Sequence, residues 1–413
     1  MSYSQSVIKQ LGKDAPYSWF LFDQAKSNPR YCYNDFREQS NALEAYLDTF
    51  TVALNGGDDI DNWLDINDWG SCFILAALGV GHCRPDLFDK ALDGLKEKQE
   101  THYREILDAC RWYDCDDLSP WLLKLCKHSS PVANQTVLAL ARRQTFNISD
   151  EMLSLFIQDH HPAVRSQLFH WFGEQGYGQH LDLIKMHYSN ENPQVAYAAA
   201  RAGFLLNQSD AREYLKQVAL SDNSYMREAI ALLFIKQEEG TVLEDWLTQL
   251  WNSEHVSLRV KAYAIAVSGM SAWIEKLLEL MEDRDVARVA GEALAIITGV
   301  DLEESELDDA EVCDDCDFIK KEQEAKEKST RSSKRFVHVW EEDLPIPAVE
   351  KVYEWWYAQD LKSKSGERYL AGQVISESSL NKILSSGNQS QRQIASLHLS
   401  LNFSYRWTDI NQC

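Results

Sequence analysis

Between positions 130 and 300 the apolar residues return in bursts about thirty-one residues apart. The copies read HHPAVRSQLFHWF (from His160), ENPQVAYAAARAGFLL (from Glu191), DNSYMREAIALLF (from Asp222), EHVSLRVKAYAIAVSG (from Glu254) and DRDVARVAGEALAIITG (from Asp283). Each opens on a polar or Pro-containing turn and continues with apolar residues at i, i+3, i+4, i+7, the stripe of a helix with one covered face. Aligned on the apolar residue of that turn, Val132, Val164, Val195, Met226, Leu258 and Val286 lie 32, 31, 31, 32 and 28 residues apart. A fixed period of this length predicts stacked helix pairs, each burying its apolar face only against its neighbours. The second helix of each pair is short, at 152–159, 180–188, 211–219, 243–252 and 272–281. Arg165, Arg227 and Arg259 share one slot of the repeat, where an ion pair with an acidic side chain of an adjacent repeat is the expected role.

Outside this array the pattern loosens. Residues 1–16 read as a frayed start. Helical spacing then places Trp19, Phe20, Phe22 and Ala25 on one helix and Phe36, Leu43, Leu47, Phe50 and Leu54 on the next, stopped by Asn55-Gly56-Gly57. An acidic connector, 58–68, carries Trp63 and leads to Trp69. The run SCFILAALGVG (71–81) is apolar enough to be a buried helix, and further helices are expected at 86–98, 101–112 and 119–127, the last opened by Ser119 with Pro120 behind it. Residues 1–129 therefore form a divergent N-terminal cap, and 130–300 the regular repeats. Residues 301–317 hold ten acidic residues and no basic ones, and 318–335 turn basic, so 301–335 reads as a flexible acidic-then-basic loop. Residues 336–413 form a C-terminal helical unit with helices near 347–358, 376–385 and 388–401. The expected fold is all-α: a HEAT-type α-solenoid of stacked antiparallel helix pairs with divergent helical caps at both ends.

Composition narrows the function classes. Of 413 residues, 45% are apolar, enough for a large core, and Gly plus Pro total only 27, which disfavours a turn-rich β fold. The longest apolar run falls short of a transmembrane helix, and the N-terminus lacks a signal-peptide h-region. Nine Cys scattered over the chain read as reduced thiols of a cytoplasmic protein. With 64 acidic against 41 basic residues the formal net charge is −23, which argues against nucleic-acid and membrane binding. It suits a basic protein partner, although solubility alone would also account for it.

Candidate chemistry is sparse. Cys313-Asp314-Asp315-Cys316 could offer two thiolates to zinc, but no second CxxC and no His-x-x-x-His supplies the remaining ligands. Its acidic surroundings would raise a thiol pKa, which speaks for an incidental pair. Cys110 and Cys115 read as helix residues, and His160-His161 as a repeat turn before Pro162. Asp114, Asp116 and Asp117 suggest a divalent cation only weakly, and the 58–68 connector fails the EF-hand pattern. There is no G-x-x-x-x-G-K-[ST], G-x-G-x-x-G or G-x-S-x-G motif. No catalytic residue and no cofactor is expected, and Cys313 and Cys316 are the metal-ligand candidates.

Several segments nevertheless resemble a known group. They are SWFLFDQAKSNPRYCYNDFREQSNALEAYLDTFTVAL near the N-terminus, GEALAIITGVDLEESEL (291–307), Trp355-Trp356, Arg368-Tyr369-Leu370-Ala371-Gly372 and Gln391-Arg392-Gln393-Ile394-Ala395. Together they resemble a little-characterised proteobacterial family of HEAT-repeat proteins often encoded beside type VI secretion genes. The resemblance implies a cytosolic interaction protein, an immunity or accessory factor, and brings no catalytic residues with it. The 301–335 insertion and the Cys-rich N-terminal third depart from the family pattern. The expectation is a non-enzymatic binder that neutralises or escorts a basic effector by steric occlusion. Asp308, Asp309, Asp314, Asp315 and Asp317 are its charged contacts, and Trp63 and Trp69 its aromatic anchors. A scaffold of the secretion apparatus, or a metal- or ligand-dependent enzyme, are the alternatives.

Overall fold

The computed structural model describes residues 5–28, 31–60, 63–66, 68–96, 104–112, 121–122, 125, 131–142, 148–221, 224–236, 240–309, 341, 343–359, 367–403 and 405. They form an all-α protein in two compact units, one over Met1–Leu215 with Tyr405–Cys413 and one over Lys216–Ser404. In chain order the first unit holds α1 (Gln5–Ser27), α2 (Tyr33–Asn55), α3 (Trp69–Gly81), α4 (Pro85–Lys96), α5 (Arg104–Trp112), α6 (Pro131–Ala141), α7 (Asp150–Gln158), α8 (Pro162–Gln175), α9 (Leu181–Lys185) and α10 (Pro193–Leu205). The boundary falls within α11 (Ser209–Leu220). The second unit continues with α12 (Met226–Ile235), α13 (Gly240–Asn252), α14 (Leu258–Ser268), α15 (Ile274–Met281), α16 (Ala287–Thr298), α17 (Val349–Tyr357), strands β1 (Tyr369–Leu370) and β2 (Gln373–Val374), α18 (Glu377–Ser386) and α19 (Gln389–Asn402).

In the first unit the core is centred on α3, where every residue from Gly70 to Val80 is buried. Phe73 stacks on Trp19 of α1 at 5.9 Å and meets Trp112 of α5 edge-on at 5.6 Å. Asp68 starts α3, its carboxylate accepting the Ser71 N–H at 2.8 Å. Further on, α6, α8 and α10 pack side by side in a row. Pro162 and Pro193 open α8 and α10 at positions whose N–H would lack a helical partner anyway. Across this row Glu174, its side chain 1% exposed, accepts from Arg142 Nε and Nη2 at 2.6 Å each and from Arg201 Nη2 at 2.7 Å. Gln167 accepts from Arg142 Nη1 at 2.8 Å. One carboxylate thus satisfies two guanidinium groups brought by the neighbouring elements.

In the second unit α12, α14 and α16 form a corresponding row. Its helix ends are closed by a segment far along the chain. Arg368 Nε donates to Ser268 O at 2.7 Å, and Tyr369 N–H to Gly269 O at 2.8 Å. Ala371 and Gly372 N–H donate to Ile296 O and Ile297 O, both at 2.8 Å. Gln391 Nε2 reaches Ala295 O, and Asn402 Nδ2 reaches Ile235 O, each at 3.0 Å. Carbonyls at the ends of three alternate helices, α12, α14 and α16, most of them left without a partner by helix geometry, are thereby engaged. Gly269 and Gly299, at φ +68° and +75°, end α14 and α16 and leave the space the hairpin fills: a Cβ on Gly299 would stand 2.8 Å from the Ala371 carbonyl carbon.

Several expectations need correction. The N-terminus is not frayed up to residue 16, because α1 begins at Gln5 and buries Ala15. The aligned position Leu258 is exposed while Val256 is buried in its place, since Leu258 is the first residue of α14 behind the Ser257 cap. The shared arginine slot does not make one kind of ion pair. Arg165 donates to the Ile157 and Asp159 carbonyls, Arg227 lies 4.7 Å over the Tyr263 ring, and Arg259 meets Glu341, 82 residues on, at 2.9 Å. Arg165 sits beside the carbonyl end of α7, which attracts a cation without needing a carboxylate. The start of the expected flexible loop is structured: Leu302 and Leu307 are buried, and Asp301 Oδ1 accepts from the N–H groups of Glu303 and Glu304. The Arg368–Gly372 string forms a two-stranded turn where no strand is expected. The expected helix at 119–127 lies largely outside the described residues.

Candidate functional site

Among the described residues, the most exposed aromatic surface lies on α1, where one helix displays rings on two sides. Trp19 and Phe22 face inward and are buried, whereas Tyr17 and Phe20 remain 61% and 46% exposed and stack on each other at 6.1 Å. Leu21 adds a partly exposed apolar side chain on the same helix. Opposite them stands Trp69, the first residue of α3, also 46% exposed.

Between these elements runs a groove of about 470 Å³, lined by Lys13, Tyr17, Phe20, Asp65 and Trp69 among others. Backbone proximity sets its floor. A Cβ on Gly70 would fall 2.5 Å from the Pro16 Cα, so only glycine lets the start of α3 lie against α1. Asp68 is held in its capping role by Ser71, whose N–H and hydroxyl it accepts at 2.8 and 3.0 Å. The groove therefore presents flat aromatic faces on a braced backbone, with one lysine and two aspartates at its rim. Such a surface can bind apolar or aromatic side chains of another protein.

The aromatic anchors expected from sequence separate here. Trp69 lines the groove; Trp63 does not, its ring resting 5.9 Å from Phe50. Tyr17 and Phe20 belong to the site and were missed as surface residues. Their signal was an α1 sequence with apolar residues all round, more than one covered face requires.

Asp308 and Asp309 are half-buried and tied through their backbone to the segment before α17, Asp308 in a bridge with Pro347 and Asp309 N–H donating to Ile346 O at 2.8 Å. They are not close in sequence or element to the groove residues. Asp314, Asp315 and Asp317, with Cys313 and Cys316, lie outside the described residues. His160 Nδ1 meets Arg165 Nη2 at 3.0 Å, and the His161 N–H donates to Asp159 Oδ1 at 2.9 Å, so both serve the turn before α8. Cys110 is buried in α5; Cys115 and the aspartates beside it are outside the described residues. Among the described residues, no group of three His, Cys, Asp or Glu is placed to hold a metal ion, and no helix is long and apolar enough to cross a membrane. Comparison of the chain with protein-family models, with curated proteins and with solved structures returned no match.

Proposed function

We propose that this chain is a non-enzymatic, cytoplasmic protein-binding solenoid. Its partner is a basic effector domain of a type VI secretion system, which it neutralises or escorts by covering the effector's working surface. The observation that carries the binding part of this reading is the α1–α3 groove, where three large aromatic side chains stay open to solvent on a braced backbone. Apolar rings in such a setting serve as anchors for a partner, since exposing them gains nothing for the fold. The formal charge of −23 favours a basic partner and speeds its capture at low salt. The link to secretion rests on the sequence segments that resemble the HEAT-repeat family.

The reading is tested by capturing partners from the native host with wild-type protein and with a Phe20→Ser/Trp69→Ser variant in parallel. A basic effector retained by wild type and lost by the variant is the expected result. Identical captures would remove the groove from the interaction. Recovery of sheath or baseplate components instead would turn the effector assignment into a structural one.

A further inference from the structure

The second unit carries another displayed aromatic face. On α17, Tyr353 and Tyr357 lie one helical turn apart and stack at 6.2 Å with their rings 15° from parallel. Tyr357 is 52% exposed. Helix α15 packs against α17, and from it and its end come Glu275, Glu279 and Glu282, all exposed. Their spacing of i, i+4 and i+7 puts the three carboxylates on one side of the helix over roughly 10 Å. They act on Tyr353: burial first, then Glu282, Tyr357, Glu279 and Glu275, hold its hydroxyl above its ordinary range. Lys276 pairs with Glu279 at 2.7 Å while lying 5.5 Å over the Trp251 ring.

We infer that this Tyr353–Tyr357 face is a docking surface for an arginine- or lysine-rich segment of a partner protein. A ring face attracts a cation, and a neighbouring carboxylate row supplies the charge-assisted hydrogen bonds that fix it. The occupant is set by charge complementarity: flat aromatic faces alone would accept any apolar group, but beside three carboxylates they select a cation. The inference rests on the protein-binding reading above and adds a second contact with its own chemistry.

The test is calorimetric titration of the full chain with an alanine-based helical peptide bearing Arg at every fourth position, with a Glu-for-Arg peptide as control. Wild type should bind the Arg peptide alone, more weakly as salt is added. Tyr357→Ser with Glu282→Gln, both surface changes, should weaken binding about tenfold. The Phe20→Ser/Trp69→Ser variant should bind it as wild type does, which separates failure of this face from failure of the groove. Equal affinity in the Tyr357→Ser/Glu282→Gln variant would mean attraction to the overall negative charge and would overturn the assignment. A gain in affinity on deleting residues 318–335 would give the face to this chain's own basic stretch and overturn it as well.

Discussion

Two rows of three helices are cross-linked in this molecule by opposite means. In α6–α8–α10 the tie is a buried charge triad, Arg142–Glu174–Arg201, whose members lie 32 and 27 residues apart. In α12–α14–α16 it is a strap of donors from 368–402, reaching back 75 to 167 residues to carbonyls at the helix ends. The triad is local and depends on the ionisation of one carboxylate. The strap is distant and divides its donors between backbone N–H groups and side chains, with a single charged donor, Arg368. Burial pulls that guanidinium down to about 10, still protonated at neutral pH, and the carbonyl ends of α14 favour its charge. A repeat array can thus solve the same lateral problem with charge or with shape, and the two solutions should fail under different insults.

The largest expected effect comes from Glu174→Ala, which strands two guanidinium groups in the first row. A loss of roughly 3–5 kcal/mol is expected, as for other broken buried ion pairs. Hydrogen exchange should quicken in α6, α8 and α10 and stay unchanged in α12, α14 and α16; quickening in both rows would end the idea of separate ties. Gly299→Ala attacks the strap, forcing a side chain into a left-handed backbone and against Ala371. It should cost about 1–3 kcal/mol and loosen the 369–374 turn, with the first row unaffected. A melting temperature equal to wild type would show that the hairpin does not need this glycine.

Acid should sharpen the contrast further. Burial opposes the charge on Glu174, but Arg142 and Arg201 outweigh it and hold its carboxyl at about 2 against an ordinary 4.5. Its contribution is complete above about 4.5 and is lost as pH falls towards 2. Burial, reinforced by Arg142 and Arg201, also keeps His170 well below its usual 6.5. In the second unit burial and then Arg368 hold His398 at about 3. A histidine held neutral costs stability as pH falls below 6.5, at most about 1.4 kcal/mol per pH unit for each group. Both units should weaken from pH 6.5 downward, and the first should suffer an added loss below 4.5. His398→Leu should flatten the pH dependence of melting in the second unit only. An unchanged slope would place that sensitivity elsewhere.

The 3.6-residue period made the helices readable, because every repeat must cover its own apolar stripe: Val164, Val195 and Val286 are buried as the alignment requires. What escaped reading depended on contacts distant in sequence. The turn of the strap donates through the backbone N–H groups of Tyr369, Ala371 and Gly372, which carry no sequence signal, and its two-residue strands are too short to show alternation. The start of α1 was hidden by polar residues such as Gln10, Lys13 and Asp14, while Ala15, buried just behind them, is a small side chain that adds little to an apolar stripe. Trp69 was legible as an anchor, but its partners Tyr17 and Phe20 were not. Periodicity says that a ring is on a helix; only the fold says which rings remain uncovered once Trp19 and Phe22 have filled the core.

The strap also sets an order on synthesis. The helix ending at Ser268 leaves the ribosome about a hundred residues before Arg368, so its terminal carbonyls wait for their donors throughout that interval. A nascent chain halted anywhere before the hairpin presents three unfinished helix ends in a row. Completeness of translation is therefore written into the second unit as a physical condition, and a truncated product should announce itself to cellular proteases by its open edge.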